Sequence, residues 1–160
     1  MADLDLLVLG DCNPDLILLG DAVPAFGQAE RLIDDVRVVV GGSGSIMACG
    51  AARLGLRTAI AAVVGDDPFG RFMVEALGAR GVDVEPVVVD PVRSTGLSVV
   101  MSSGEDRAIL TSLGAIPSLR AELIDPALLA SVRHVHVSSF FLQDGLRSEL
   151  AGLFEAAHRA

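Results

Sequence analysis

The sequence predicts an α/β fold carrying a small accessory sheet, and three observations lead there. The stretch Val38 to Gly70 reads as strand, glycine loop, helix, strand and capped helix start. Leu4 to Gly10 is a nearly continuous apolar run, the pattern of a strand buried on both faces of a parallel sheet. Strand-like runs within residues 14–40 and 84–113 have no helix between them, so they fit a separate small sheet better than βαβ units.

In chain order, the first strand ends in Asp11-Cys12-Asn13-Pro14-Asp15. Ligands of open α/β sheets gather at the carboxyl ends of strands, which makes Asp11, Asn13 and Asp15 candidates for holding a polar ligand. An Asx turn before Pro14 accounts for the same residues, and spacing leaves both readings open. Leu16 to Leu19 and Val36 to Val40 are short strand-like runs, with a loop from Gly20 to Gln28 between them.

Val38-Val39-Val40 breaks at Gly41-Gly42-Ser43-Gly44-Ser45, and a helix is expected from Ile46 to Leu54. That helix is apolar nearly all round, so burial on most sides is expected. Free N–H groups and the positive dipole end at its start suit an anion or ligand hydroxyls, and the glycines permit close backbone approach. Thr58 to Val64 is the next strand. Asp67 then caps a helix with Pro68 at its first position, and Phe69, Phe72, Met73, Ala76 and Leu77 form its buried face.

Gly81 stops that helix. Val84 to Val89 reads as a strand interrupted by Pro86, hence an edge. Ser94 to Ser102 and Ala108 to Leu113 flank a hairpin turn at Ser103 to Arg107. Asp125-Pro126 opens a short helix to Ala130, Val132 to Ser138 is a strand, and Leu146, Leu150, Leu153, Phe154 and Ala157 mark a last helical stripe.

Composition narrows the function. A chain of 160 residues with 51% hydrophobic content makes one domain, or part of a larger one, and can bury a core. Mean hydropathy is +0.56, yet no apolar run approaches the roughly 18 residues of a membrane span. The start MADLDLLVLG has no Lys or Arg, which argues against a signal peptide and makes the cytoplasm the expected location.

Net charge is −9 and all 12 cations are Arg. A nucleic-acid surface is not expected from such a field, and a Walker-type loop is excluded for want of its Lys. Cys12 and Cys49 read as small buried hydrophobes outside any metal or redox spacing. His134 and His136 share a strand face but have no third ligand nearby in sequence, so no metal site is expected. Asp66 and Asp67 read as a helix cap and its neighbour before they read as a base or Mg²⁺ ligands.

Four blocks together resemble the PfkB/ribokinase family of sugar and nucleoside kinases. They are VLGDCNPDLIL at Val8 to Leu18, the glycine loop running into AARLG at Gly41 to Gly55, VVGDDPFG at Val63 to Gly70 with GVDV at Gly81 to Val84, and STGLSVVM at Ser94 to Met101 followed by GEDRAILTSLGA. Their order and spacing cover nearly the whole chain. The resemblance implies a ribokinase-like, Rossmann-like three-layer core with a β lid drawn from residues 14–40 and 84–113. It further implies ATP-dependent phosphorylation of a sugar or nucleoside hydroxyl, with ATP and Mg²⁺ as cofactors of the complete enzyme. By position, Asn13 and Asp15 would bind substrate hydroxyls, Gly41 and Gly42 would form the hinge against the substrate, and Thr95, Gly96 and Arg107 would lie near it at the lid.

Three departures qualify the resemblance. Ile46 stands where the family loop has an Asn, and Gly114-Ala115-Ile116 stands for the family's Gly-Ala-Asn. The Asp-Thr-x-Gly-Ala-Gly-Asp run, which supplies the anion hole and catalytic Asp, has no match, so no catalytic residue is assigned here. The expectation is therefore a substrate-binding N-terminal portion of a kinase, incomplete at its C-terminus, that forms a homo-oligomer or requires the missing half. A non-catalytic sugar-binding or regulatory module on the same fold is the alternative. A Rossmann dinucleotide domain fits poorly, because Gly10 is followed by Asp11, Cys12 and Asn13 instead of the glycine fingerprint.

Overall fold

A computed structural model describes residues 4–159. Its elements run β1 (Leu6–Leu9), β2 (Pro14–Leu19), β3 (Asp35–Val40), α1 (Ser43–Arg53), β4 (Thr58–Gly65), α2 (Pro68–Gly78), β5 (Val82–Asp83), β6 (Val87–Asp90), β7 (Leu97–Ser103), β8 (Asp106–Ser112), α3 (Pro126–Ala130), β9 (Val135–Val137), α4 (Asp144–Arg147) and α5 (Leu150–Arg159).

The main sheet is parallel, in the order β5-β4-β1-β9, with β6 also on β4. β1 and β4 are buried along their whole length, as their unbroken apolar runs require. Alternate side chains feed two cores. Leu6, Val8, Ile60, Ala62 and Val64 meet Ala48 and Ala51 of α1 and Met73 and Leu77 of α2. Leu7, Leu9, Ala59, Ala61 and Val63 meet Leu129, Leu146, Leu150 and Leu153 on the opposite face. These are the three layers the resemblance implies.

The helix-free strands form a second sheet, β3-β2-β7-β8, in which β2 and β7 are parallel and the outer pairs antiparallel. One expected boundary moves. Residues 84–90 are not part of this lid, because β6 pairs with the far half of β4, Ala62 to Gly65. Val87 packs into one core and Val88 into the other, the two-sided burial of a main-sheet strand. Pro86 lies between β5 and β6, where the edge ladder lapses.

Two helices also differ from expectation. α1 begins at Ser43, three residues before Ile46, and is buried only through Gly44, Ser45, Ala48 and Ala51. Ile46 and Met47 are 56% and 39% exposed, so this helix turns an apolar side outward instead of being enclosed. The last stripe is shared by two helices, α4 and α5, with a turn at Ser148-Glu149 between Leu146 and Leu150.

Candidate functional site

The site grows from the end of β1. Asp11 follows Gly10 and is buried, and its carboxylate accepts the backbone N–H of Ser43 at 2.9 Å and of Gly44 at 2.8 Å. The Ser45 hydroxyl donates to the Asp11 carbonyl at 3.2 Å. The start of α1 is therefore occupied from within the chain. The expectation that these N–H groups face a ligand is corrected: a carboxylate 32 residues upstream satisfies the orphan donors and complements the helix dipole.

Asn13 and Asp15 flank the crossing into the lid. Asn13 is buried, its Nδ2 donating to the Pro14 carbonyl at 3.3 Å while Oδ1 faces Gly42. The Gly41 N–H donates to the Asn13 carbonyl at 3.1 Å, so the two crossings between core and lid run side by side. Gly42 has φ +73, a conformation that glycine adopts without strain. A β-carbon at Gly41 would overlap the Asp15 carboxylate. These two glycines are the reason Asn13 and Asp15 can close over the loop. Burial pushes the Asp15 carboxyl above its usual value, and a hydrogen bond from Ser98 offsets part of that shift.

The lid's inner face follows from register, because directly paired residues share a face. Val39, Asp15, Ser98 and Thr111 form the row nearest the core. Arg37, Ile17, Val100 and Ile109 form the next row on that face, and Asp35, Leu19, Ser102 and Arg107 fall in the outermost. Arg107 thus stands on the same side as Asp15 and acts on it through charge. The outer face is wholly apolar in its middle: Leu16, Leu18, Val36, Val38, Val99, Met101, Ala108 and Leu110. The loop after β2 covers only one end of it, where Ala22, Val23 and Pro24 line a hollow with Met101 and Ala108.

Thr95 and Gly96 lie where the chain re-enters the lid, and both are buried. The Thr95 hydroxyl donates to Asp67 at 2.8 Å and accepts the Gly65 N–H at 2.9 Å. Its one proton is thus committed to the fold. Gly65 and Gly70 allow this approach: a β-carbon on Gly65 would stand 2.6 Å from the Thr95 nitrogen, and one on Gly70 would overlap the Gly65 carbonyl. Gly96 and Gly114 similarly cross backbone to backbone.

Asp67 caps α2 by accepting the Gly70 N–H at 2.9 Å, and Asp66 is exposed beside Arg71 at 3.2 Å. Cys12 is enclosed, and burial pushes its thiol up to about 12. His134 is exposed and His136 half-buried, and among the described residues no group of three His, Cys, Asp or Glu side chains could hold a metal ion. No helix among the described residues is long and apolar enough to cross a membrane.

Reading by sequence passed over Ser98 and Thr111, whose hydroxyls lie 3.0 Å apart beside Asp15. The signal was present as one polar residue next to an apolar run in each strand, Ser98 before Val99-Val100-Met101 and Thr111 after Ala108-Ile109-Leu110. It also passed over Gln143, whose amide is fully buried without a hydrogen-bond partner.

A parallel α/β core with a glycine loop beneath a four-stranded lid defines the ribokinase-like class of fold. The family profile described as pfkB family carbohydrate kinase matches residues 3–160. This chain belongs to the pfkB family of carbohydrate kinases. It is 32% identical over 155 residues to fructokinase from Klebsiella pneumoniae, covering 96% of this chain and 47% of that one. It is 32% identical over 113 residues to ribokinase from Bacillus subtilis, covering 69% and 38%. Among solved structures, Arabidopsis thaliana ribokinase complexed with ribose and ATP superposes with TM-score 0.75 at 26% identity, over 86% of this chain and 45% of that one. The chain spans less than half the length of these relatives.

Proposed function

We propose that these residues form the sugar-binding part of an ATP-dependent kinase acting on a sugar or nucleoside hydroxyl, residues 1–160 being the N-terminal portion of its domain. The observation that carries this reading is the placement of Asp15. It is an acceptor on the inner lid face, held against Gly41 beside the buried Asn13. A carboxylate and an amide converging over bare backbone suit the hydroxyls of a polyol. Asn13, Asp15 and the backbone of Gly41, Gly42 and Gly96 would bind the substrate, Arg107 would close over it, and Thr95 would hold the lid base in place.

Phosphoryl transfer needs a base and a charge-stabilising cradle, and no side chain of this sequence is proposed for either. ATP and Mg²⁺ are the expected donor and ion of the complete enzyme, working in the cytoplasm. Family membership and the ribose- and ATP-bound relative support the reading. The apolar outer face of the lid supports a homo-oligomer.

Isothermal calorimetry of the protein against pentoses, hexoses and nucleosides tests it. Saturable binding of at least one sugar that is lost in Asp15→Ala is expected. Flat titrations across the panel would overturn the proposal.

A further inference from the structure

β6 lies at an edge of the main sheet, and part of its backbone faces away from it. The Asp90 carbonyl points to β4, where it accepts the Asp66 N–H at 3.1 Å. Successive residues of a strand in a parallel ladder turn their N–H and C=O to opposite sides, so Val89 points both groups outward. No strand lies on that side among the described residues, and Val89 is 53% exposed.

Two adjoining hollows, of about 460 and 570 Å³, lie between this edge and the stretch leading from Gly114 into α3. They share Val88 and Leu123 as apolar walls. Their charges differ. The hollow at the carboxyl end of β6 is balanced, with Arg93 and Arg120 against Asp90 and Glu122. The other holds Asp83, Glu85 and Asp125 and no cation. Among the described residues none of these three carboxylates is in an ion pair. Asp83 accepts the Glu85 N–H at 3.0 Å and Asp125 the Ala127 N–H at 2.8 Å, which leaves acceptor lone pairs on both.

Strand addition draws affinity from main-chain hydrogen bonds at a free edge and selectivity from the pockets beside it. We propose that the β6 edge is a docking site for an extended, basic segment of a partner protein. The segment adds as a strand on Val89, lays apolar side chains against Val88 and Leu123, and brings a Lys or Arg to the carboxylates of Asp83, Glu85 and Asp125. Charge decides against a second copy as the occupant, since this chain carries −9 and like charges repel. Pro86 and Pro91 bracket the strand and keep the edge short, so it takes one segment without templating a stack. This docking site is independent of the sugar-binding reading.

Fluorescence polarisation with labelled peptides tests it. One peptide alternates valine with arginine, a second has glutamate in place of arginine, and a third is the arginine peptide N-methylated at alternate residues so that it cannot pair. The wild-type protein, Val89→Pro and Glu85→Lys are compared. Val89→Pro removes the outward N–H without breaking the ladder to β4. Glu85→Lys inverts a charge at an exposed position. Thermal melts check both folds; should Val89→Pro melt early, Glu85→Lys and the N-methylated peptide decide.

Saturable binding of the unmodified arginine peptide alone is expected, weakened about tenfold or more by each variant and further by added salt. No binding of that peptide would overturn the proposal. Binding kept in full by the N-methylated peptide or by Val89→Pro would reduce it to charge attraction and overturn it too. Self-association that Val89→Pro abolishes would assign the edge to a second copy, with the same consequence.

Discussion

Thr95 and Asp67 are joined twice. The Thr95 N–H donates to Asp67 Oδ2 at 2.7 Å and its hydroxyl donates to Oδ1 at 2.8 Å, while the same carboxylate caps α2 at Gly70. One carboxylate thus fastens the base of the lid to a helix of the core. Burial would raise the Asp67 carboxyl, but the hydrogen bonds from Thr95 and Gly70 outweigh it and hold the group below its usual value. A depressed carboxyl stabilises the fold above the unfolded pKa of about 3.9 and loses that contribution as pH falls through the lower folded value. Asp67→Asn should lower stability at pH 7 by about 1–3 kcal/mol, from loss of a cap and a charged hydrogen bond. Urea melts of both proteins should show the gap steady down to about pH 5 and closing below about pH 4. A gap independent of pH would assign the effect to packing.

Asp15 has the opposite sign. Burial raises its carboxyl, so its charged form opposes folding at neutral pH and that cost is relieved as pH falls through the raised value. Asp15→Asn should therefore leave the melting temperature unchanged or higher while weakening sugar binding by about tenfold or more. Thermal melts and calorimetry on one preparation separate the two effects. A variant that loses stability and affinity together would make Asp15 a structural residue.

At the crossing between core and lid, Gly41→Ala should abolish the proposed sugar binding, since its β-carbon would displace the Asp15 carboxylate. Gly42→Ala should cost about 1–2 kcal/mol for the left-handed backbone alone. Retained affinity in Gly41→Ala, measured by calorimetry, would show that Asp15 is free to move without consequence.

The outer lid face leaves Val38 42% and Leu110 64% exposed. An apolar sheet face of this kind favours association, and a mass above 16.6 kDa that depends on concentration is expected by light scattering. Leu110→Glu should shift the protein toward monomer. A wild-type protein that is monomeric at all concentrations would remove the oligomer from the proposal.

Cys12 is enclosed in the core and Cys49 is half-buried. An aromatic disulfide reagent should therefore titrate one thiol in the native protein and two after unfolding. Prompt reaction of both in the native state would mean the loop after β1 opens readily.

The core was legible because its signals are local. Leu6–Leu9 and Thr58–Gly65 are apolar runs that only a two-sided sheet can bury, and Asp67-Pro68 announces a helix start within two residues. The lid was legible as strands without helices, but its lower boundary was not, since Val87–Asp90 reads alike whether it joins the lid or the main sheet. Only the pairing with Ala62–Gly65 decides. The capping of α1 by Asp11 was hidden for a related reason. The glycine loop shows that donors are available, whereas the carboxylate that takes them arrives from 32 positions away. The pair of hydrogen bonds from Thr95 to Asp67 spans 28 positions and leaves no trace in spacing. Ile46 reads as apolar and is so, yet exposure on α1 depends on where the helix lies against the sheet.

Where core meets lid, Gly41, Gly65, Gly70, Gly96 and Gly114 each place backbone against a neighbour with no space for a side chain. In a saturation library these positions should appear as columns of near-total intolerance, bracketing lid strands whose inner-face positions accept many residues. Such a seam divides the molecule's capacity for change. Drift at Ser98, Val100, Ile109 or Thr111 can reshape the inner face of the lid without disturbing the joint that carries it. The architecture keeps its seam immobile in sequence space and leaves the face beside it open to selection.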